Sequence, residues 1–182
     1  MKKLIIRSLA FVGGAIALFA CGSPKETAVG KKTDAMPTEA WGVSKWISAA
    51  DAPVVTDIIK DGSRAADGSS WFLSTVKNGG KVASAKWMTA GLGVYELYVN
   101  GKPVGEEFLK PGFTHSTKTK RIFTYDITDA LKLNQGAENV LSVEVAPGWW
   151  GDKIVTPSGH EGMIGKKCAF RGVLELTFAD GS

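Results

Sequence analysis

The chain has 182 residues, a formal net charge of +4 and a hydrophobic fraction of 44%. Three of its Lys and Arg residues lie among the first seven positions, and without them the net charge falls to about +1. The cluster Lys118, Lys120 and Arg121 is short and is interpreted as a solvated strand edge. No longer basic run interleaved with aromatic residues is present, so the sequence excludes nucleic acid as a partner.

The first twenty residues have the order of a bacterial export signal. Basic residues come first, a largely apolar run from Leu9 to Ala20 follows, and Cys21 comes next. The apolar run is shorter than the roughly 20 residues that a permanent membrane span needs. The segment Leu18 to Cys21 resembles the lipobox of bacterial lipoproteins. We predict a signal peptide over residues 1–20 and a lipid anchor on Cys21; the alternative is an ordinary secretory signal with an incidental cysteine.

Export and anchoring determine how the rest of the chain is interpreted. The protein is expected on a bacterial membrane, at the periplasmic face or the cell surface. Residues 21–40 are mostly small or charged and predict a flexible tether. With Cys21 lipidated, Cys168 has no partner, which excludes a disulfide scaffold. Residues 41–182 are long enough for one hydrophobic core.

The segment from Trp41 onward has the pattern of an all-β domain. Short β-branched and aromatic runs are separated by Gly, Asn and Asp, without a long stretch of helical spacing. Such repeated short strands favour a β-sandwich, of jelly-roll or lectin-like type, over a barrel. Residues Trp41 to Trp46 are a candidate for an additional leading strand. The other strands are predicted at Trp71 to Val76, Val82 to Thr89, Val94 to Val99, Arg121 to Tyr125, Asn139 to Val145 and Val173 to Phe178.

The strand Val94 to Val99 shows which of its faces is buried. Alternation places Tyr95, Leu97 and Val99 on one face, which we predict to be the core face. Asn100-Gly101 follows at once and tolerates the positive φ angles of a type I′ turn. A hairpin is therefore predicted directly after this strand.

Two further turns are predicted from side-chain chemistry. Residues Asp126 to Leu131 indicate a turn that leads into one short helical turn, with Thr128 or Asp129 as its cap. The last strand runs into Asp180-Gly181, a strong hairpin signal, and a turn needs a strand after it. The domain is therefore expected to be incomplete at Ser182, with a parent chain that continues.

Several linked motifs carry a family resemblance. They are Gly93 to Gly105, Leu109 to Thr114, Thr124 to Thr128, Glu138 to Leu141 and Gly148 to Gly151. In order and spacing they resemble the N-terminal β-sandwich domain of bacterial α-L-rhamnosidases of glycoside hydrolase family 78, over roughly Trp71 to Phe178. Two positions depart from the family pattern: His115-Ser116 stands where many members carry Asp-Tyr, and Trp150 where Tyr or Phe is common.

The resemblance implies where catalysis would take place. In this family a separate helical (α/α)6 barrel downstream carries the carboxylic acids for inverting hydrolysis of terminal rhamnose. Within this chain, Glu106 and Glu107 are adjacent, while Asp126 and Asp129 suit turn and cap roles, so no pair of opposed carboxyls is predicted. No catalytic residue is therefore assigned, and whether the parent protein is an enzyme depends on the barrel.

Four residues are candidates for carbohydrate binding. Trp149 and Trp150 can stack on the C–H face of a sugar, and Asp152 can accept hydrogen bonds from hydroxyls. His115 is a further candidate, at a position where the family pattern differs. In the alternative interpretation, one tryptophan plugs the sandwich and the other packs against a neighbouring domain.

No resident cofactor is predicted. His115, His160 and Cys168 have no zinc-ligand spacing. Related rhamnose-binding modules use calcium to hold the sugar, and the resemblance makes Asp51, Asn100 and Asp152 possible ligands, although they do not cluster in the sequence.

Three functions are consistent with these features. The leading hypothesis is a non-catalytic, carbohydrate-binding domain of a lipid-anchored α-L-rhamnosidase-like glycoside hydrolase, with a rhamnose-containing glycan, the catalytic barrel and the membrane as partners. The alternative is a stand-alone cell-surface lipoprotein that binds glycans without hydrolysing them. A third hypothesis is a structural spacer that supports the barrel and needs no ligand.

Overall fold

The computed structural model describes residues 27–34, 36, 38–49, 69–114, 118–151, 154–155, 161–162, 165 and 167–182. The predicted signal peptide and Cys21 lie outside these ranges. The strands are β1 (Lys31–Lys32), β2 (Ser70–Lys77), β3 (Val82–Leu92), β4 (Val94–Val99), β5 (Lys102–Pro103), β6 (Phe123–Asp126), β7 (Glu138–Ala146), β8 (Ile154–Val155), β9 (Glu161–Gly162) and β10 (Ala169–Phe178). Helical turns are α1 (Thr38–Trp41), a 3-10 turn (Thr128–Ala130) and α2 (Gly148–Gly151). In this part of the chain, no helix is long and apolar enough to cross a membrane.

Two four-stranded antiparallel sheets form the domain. Sheet I has the order β1-β6-β3-β10, and sheet II has the order β2-β7-β4-β5. Strands β8 and β9 form a separate pair. Alternate residues of both sheets point inward and share one core, as in a β-sandwich. The predicted fold class is confirmed. Core residues include Val76, Trp87, Tyr95, Leu97, Tyr125, Leu141, Val143, Phe170 and Leu174.

The six predicted strands are present, and the hairpin after β4 has the expected geometry. Tyr95, Leu97 and Val99 are at most 1% exposed, so the predicted core face is confirmed. Asn100 and Gly101 have φ angles of 52° and 84°, both in the left-handed region that a type I′ turn requires. The returning strand β5 has two residues and lies at the edge of sheet II.

The turn after β6 also forms, but its cap differs from the prediction. Thr128–Ala130 is a 3-10 turn without a side-chain cap from its own residues. Instead, the Asp126 carboxylate accepts hydrogen bonds from the Thr128 backbone N–H (3.0 Å) and hydroxyl (2.6 Å). The Thr128 hydroxyl is needed elsewhere, since its oxygen accepts a hydrogen bond from the Ala85 backbone N–H at 2.9 Å. The predicted capping role of Thr128 or Asp129 is therefore wrong.

The predicted boundary between the tether and the domain also needs correction. The described residues of the predicted tether belong to the packed fold, because Lys31–Lys32 pair with β6 and both Met36 and Ala40 are buried. An edge strand needs only backbone partners, so exposed lysines do not prevent pairing. The leading strand considered at Trp41 to Trp46 is replaced by α1 and by a bridge between Ile47 and Phe170.

The C-terminal turn is formed as predicted. Gly181 has a φ angle of 83°, and its backbone N–H donates to the Phe178 carbonyl at 2.9 Å. The Phe178 N–H donates to the Ser182 carbonyl at 2.9 Å, which closes the turn. The positive φ angle explains why glycine occupies this position.

Candidate functional site

Helix α2 places the two adjacent tryptophans at one end of the sandwich. It follows β7 directly, and both Trp149 and Trp150 are half-buried. Gly148 begins the helix with a φ angle of 45° and lies against Val94, where a Cβ atom would collide with the valine side chain. Glycine is therefore required for this helix to approach β4.

Trp150 is held by the protein on several sides. Its indole N–H donates to the Lys167 carbonyl at 3.0 Å, and its ring packs against the core. A Cβ atom at Gly165 would collide with the indole, so the backbone there lies directly on the ring. The Lys120 ammonium lies 5.1 Å from the ring centroid, within the range of a cation–π interaction. These contacts make Trp150 a structural plug at this end of the sandwich.

Trp149 has a different environment. Its nearest aromatic partner is Phe113, whose ring meets the indole edge-on at a centroid distance of 6.4 Å and an interplanar angle of 81°. Phe113 is 62% exposed, which is unusual for so large an apolar side chain without a partner. The two rings border a shallow groove, which we call the aromatic groove. It is lined by Pro111, Phe113, Lys120, Arg121, Trp149 and Trp150, among others.

A buried lysine anchors the loop that carries Phe113. The Lys110 side chain is 1% exposed, and its ammonium pairs with Glu96 Oε2 at 2.6 Å and donates to the Glu107 carbonyl at 2.7 Å. The Lys110 carbonyl accepts from the Tyr95 N–H at 2.7 Å, which attaches the loop to β4. A buried charge is tolerated when it is paired in this way. The loop that carries Phe113 and forms one wall of the groove is therefore fixed to sheet II.

Arg121 joins the opposite wall of the groove to the same loop. Its Nη1 donates to the Pro111 carbonyl at 3.2 Å. The sequence interpretation treated Lys120 and Arg121 as a solvated strand edge, and both side chains are indeed exposed. However, Lys120 lies over Trp150 and Arg121 holds the Phe113 loop, so both cations belong to the groove.

Two carboxyl groups, Glu107 and Asp126, are already engaged in hydrogen bonds. Burial raises the pKa of Glu107, but a backbone hydrogen bond, the Tyr125 hydroxyl, and the cations Lys32 and Lys110 outweigh it, so the net shift is downward. Tyr125 donates to Glu107 Oε2 at 3.1 Å. The pKa of Asp126 is lowered by its hydrogen bonds from Thr128. Both carboxylates are ionised at neutral pH, so neither is a proton donor there.

Several predicted site residues lie outside the described part of the chain: His115, Asp152, Cys21, Asp51 and His160. The structure therefore does not place Asp152 or His115 relative to the tryptophans. Residue Cys168 is a buried, free thiol, and burial raises its pKa to about 11. It stays protonated at neutral pH, which does not suit a metal-binding thiolate.

Asn100 does not fit the role of a calcium ligand. Its amide donates to the Ala130 carbonyl and to Asn139 Oδ1, and its oxygen accepts from the Val140 N–H at 3.0 Å. These bonds connect the β4–β5 turn to β7, so the side chain is structural. Within the described ranges, no group of three or more His, Cys, Asp or Glu side chains could hold a metal ion.

Sequence reasoning missed three members of the groove: Phe113, Lys120 and Arg121. Phe113 belongs to the Leu109 to Thr114 motif, which was interpreted only through the family resemblance. Its exposure is visible only when the fold brings its loop beside α2. A large aromatic residue between two glycine-rich motifs was the available signal, but the same pattern also suits a buried turn residue.

Comparison with known proteins places this geometry in context. A family profile described as the α-L-rhamnosidase N-terminal domain matches residues 80–182, more than half of the chain. An α-L-rhamnosidase from Streptomyces avermitilis is 36% identical over 102 residues, which cover 56% of this chain and 9% of that protein.

Two solved structures are also similar to the described fold. The α-L-rhamnosidase of Aspergillus terreus matches with a TM-score of 0.58 and 29% identity, covering 73% of this chain and 15% of that one. The Streptomyces avermitilis α-L-rhamnosidase complexed with L-rhamnose matches with a TM-score of 0.55 and 30% identity, covering 63% and 11%. This chain thus spans only a small part of the length of each relative.

Proposed function

We propose, since this chain belongs to the family of α-L-rhamnosidase N-terminal domains, that it is the non-catalytic, glycan-binding domain of a lipid-anchored glycoside hydrolase. Its ligand is a rhamnose-containing glycan, held in the aromatic groove. The catalytic partner is a downstream (α/α)6 barrel of the same parent chain. The observation that carries the proposal is the exposed Phe113 ring set edge-on to Trp149.

The groove has the chemistry of a sugar site. An exposed aromatic ring can pack on the apolar C–H face of a pyranose, and rhamnose adds a methyl group that favours such a surface. Lys120 and Arg121 line the same groove and supply donors for hydroxyl oxygens. Pockets that combine apolar walls with a few polar groups are the usual form of small-ligand sites.

The non-catalytic role is supported by the state of the carboxyl groups. Glycoside hydrolysis needs a protonated acid and a second carboxylate roughly 5 to 10 Å away. Glu107 and Asp126 both have a lowered pKa and are engaged by Tyr125 and Thr128, respectively. Neither is suited to donate a proton to a leaving group at neutral pH.

Binding is tested by calorimetry on the full chain with L-rhamnose and a soluble rhamnose-terminated oligosaccharide. We expect Phe113→Ala and Trp149→Ala each to weaken binding at least tenfold, because aromatic anchors dominate such contacts. Val43→Ala is the matched control, since Val43 is 41% exposed on another surface and should bind like the wild type. Equal affinity of all variants, or no binding by the wild type, contradicts the glycan-binding role.

The anchor is tested separately from the ligand. The Leu18 to Cys21 segment supports lipid attachment at Cys21 in an exporting bacterium. Metabolic labelling with a radioactive fatty acid should mark the wild-type protein and leave Cys21→Ser unlabelled. Labelling that persists in Cys21→Ser, or a wild-type protein released in unlabelled form, would refute the anchor.

A further inference from the structure

The outer face of sheet II carries exposed apolar side chains on its edge strand β2. Trp71 is 38% exposed and Leu73 is 55% exposed, both on the solvent side of β2. Single exposed apolar residues are common on protein surfaces, whereas a cluster of them is a mark of an interaction site. We call the patch formed by Trp71, Leu73, Tyr98, Glu96 and Glu144 the sheet II platform.

The two aromatic rings of the platform form a continuous surface. Trp71 lies on β2 and Tyr98 on β4, with β7 between them, yet their ring centroids are 5.4 Å apart. The planes differ by 30°, so the rings lie nearly parallel rather than edge-on. Ser142 pairs in register with both Leu73 and Tyr98, and its small side chain leaves room for the rings to meet.

Two carboxylates stand beside the rings, and each has a partner that offsets their mutual repulsion. Glu144 pairs in register with Trp71 on one side and with Glu96 on the other. Like charges directly opposite each other across two strands are destabilising. Lys110 neutralises Glu96 at 2.6 Å, and the Ser69 hydroxyl donates to Glu144 Oε1 at 2.6 Å. The Glu144 carboxylate and the exposed Trp71 ring therefore lie side by side on this face.

We propose that the sheet II platform is a second carbohydrate-binding site, which takes a neutral pyranoside of an oligosaccharide chain. The sugar's C–H face packs on Trp71 and Tyr98, and its hydroxyls donate to the Glu144 carboxylate. Carboxylates disfavour an anionic glycan, which selects neutral sugars. An organic ammonium is a different class of ligand that also favours aromatic and acidic groups, so binding of choline is one of the outcomes of the test.

This site differs from the aromatic groove in the residues that form it. The groove is lined by the Phe113 loop and α2, and the platform by the outward residues of β2, β7 and β4. Glu96 belongs to the platform and also affects the groove, because its partner Lys110 anchors the Phe113 loop. Substitutions at Glu96 would therefore disturb both sites, and the test uses Trp71 and Glu144 instead.

The experiment is saturation-transfer NMR followed by calorimetry on the full chain with cellohexaose, xylohexaose and a neutral rhamno-oligosaccharide. We expect at least one of these probes to bind and Trp71→Ala to weaken that binding at least tenfold. Glu144→Gln should weaken it severalfold, and Trp71→Phe should retain most of it because a ring remains. Thr75→Ala is the matched control, since it lies on the same outer face of β2, away from the rings.

Each outcome decides between the two sites. If Trp71→Ala loses binding while Trp149→Ala binds normally, the platform is supported, because the groove variant is unaffected. Binding lost only in Trp149→Ala overturns the platform and leaves the groove. No binding of any of the three neutral probes, or equal binding by Trp71→Ala and Thr75→Ala, overturns the platform. Binding of choline but not of these sugars, lost in Trp71→Ala, overturns the carbohydrate assignment. Melting temperatures of the variants show that each is folded.

Discussion

The outer faces of the two sheets differ in how far their apolar side chains are exposed to solvent. On sheet I, Met88 and Val173 point outward, yet they are only 2% and 6% exposed because Met36 and Ala40 pack over them. On sheet II, Leu73 points outward at 55% exposure. The apolar residues are of similar size, so the covering segment makes the difference. A sandwich buries its inner faces by construction, whereas an outer face is buried only when another segment reaches it.

The Arg171 side chain joins the cover to sheet I, in addition to the bridge between Ile47 and Phe170. Arg171 on β10 donates to the Trp41 carbonyl, to Ser44 Oγ at 2.9 Å and to the Ser44 carbonyl at 3.0 Å. Its guanidinium also lies 4.6 Å from the centre of the Trp41 ring. The planar guanidinium suits this combination of several donors and a stacked ring, which lysine cannot reproduce. The cover on sheet I is therefore a structural device, whereas among the described residues Leu73 on the outer face of sheet II stays 55% exposed.

The largest expected difference between the faces comes from matched truncations. Met88→Ala should lower the free energy of unfolding by about 2–5 kcal/mol, because it leaves a cavity under the cover. Leu73→Ala should change it by less than about 0.5 kcal/mol, because Leu73 is mostly in water. Urea denaturation followed by circular dichroism measures both. Similar losses in the two variants would mean that the faces do not differ as described.

Removing the clamp should open the covered face without unfolding the core. Arg171→Ala should cost about 1.5–3 kcal/mol, the range for hydrogen bonds made by a charged group. Residues 38–47 should become accessible to hydrogen exchange and proteases before the strands do. Arg171→Lys serves as the control and should recover little of the loss. Unchanged exchange in residues 38–47 of Arg171→Ala would show that the clamp is dispensable.

The turn after β6 should make the stability of the domain depend on pH. The folded pKa of Asp126 is lowered, so its contribution is present above the unfolded value of about 3.9 and is lost as pH falls through the folded pKa. Asp126→Ala should cost about 1 kcal/mol at pH 7, as for other capping residues. The difference in unfolding free energy between the two proteins should be largest near pH 7 and should shrink steadily as the pH falls below about 4. A difference that stays constant as the pH is lowered would contradict the ionic origin.

A small effect on stability is expected from the partly exposed ring on the outer face of sheet II. Trp71→Ala should cost about 1 kcal/mol, because it removes the contact with the Tyr98 ring while 38% of the side chain is already exposed. Thermal unfolding monitored by calorimetry is sensitive enough to detect it. A loss above about 3 kcal/mol would indicate that Trp71 is a core residue, and the platform would then be structural.

Local patterns predicted the fold well, for identifiable reasons. Alternation fixed the buried face of β4, and Asn100-Gly101 fixed the turn, since both signals depend on neighbouring residues only. The family resemblance is confirmed by the match over residues 80–182. The cover on sheet I was not predicted, because Met36 and Ala40 lie in a stretch whose average composition is that of a linker.

The candidate site was only partly predictable. Trp149 and Trp150 are adjacent in sequence and both border the groove, yet Trp149 meets the exposed Phe113 ring while Trp150 is held by Lys167 and Gly165. That difference depends on residues fifteen or more positions away, which no local pattern reports. Likewise, Glu144 and Glu96 are distant in sequence and become neighbours only through strand register.

The central claim, that this domain holds a glycan in the aromatic groove, is tested most directly by hydrogen–deuterium exchange with a rhamnose-terminated oligosaccharide. The account predicts protection of residues 112–114 and 148–150 on addition of the sugar, with no change in residues 38–47 on the covered face. Sugar binding without protection at either groove segment would contradict it.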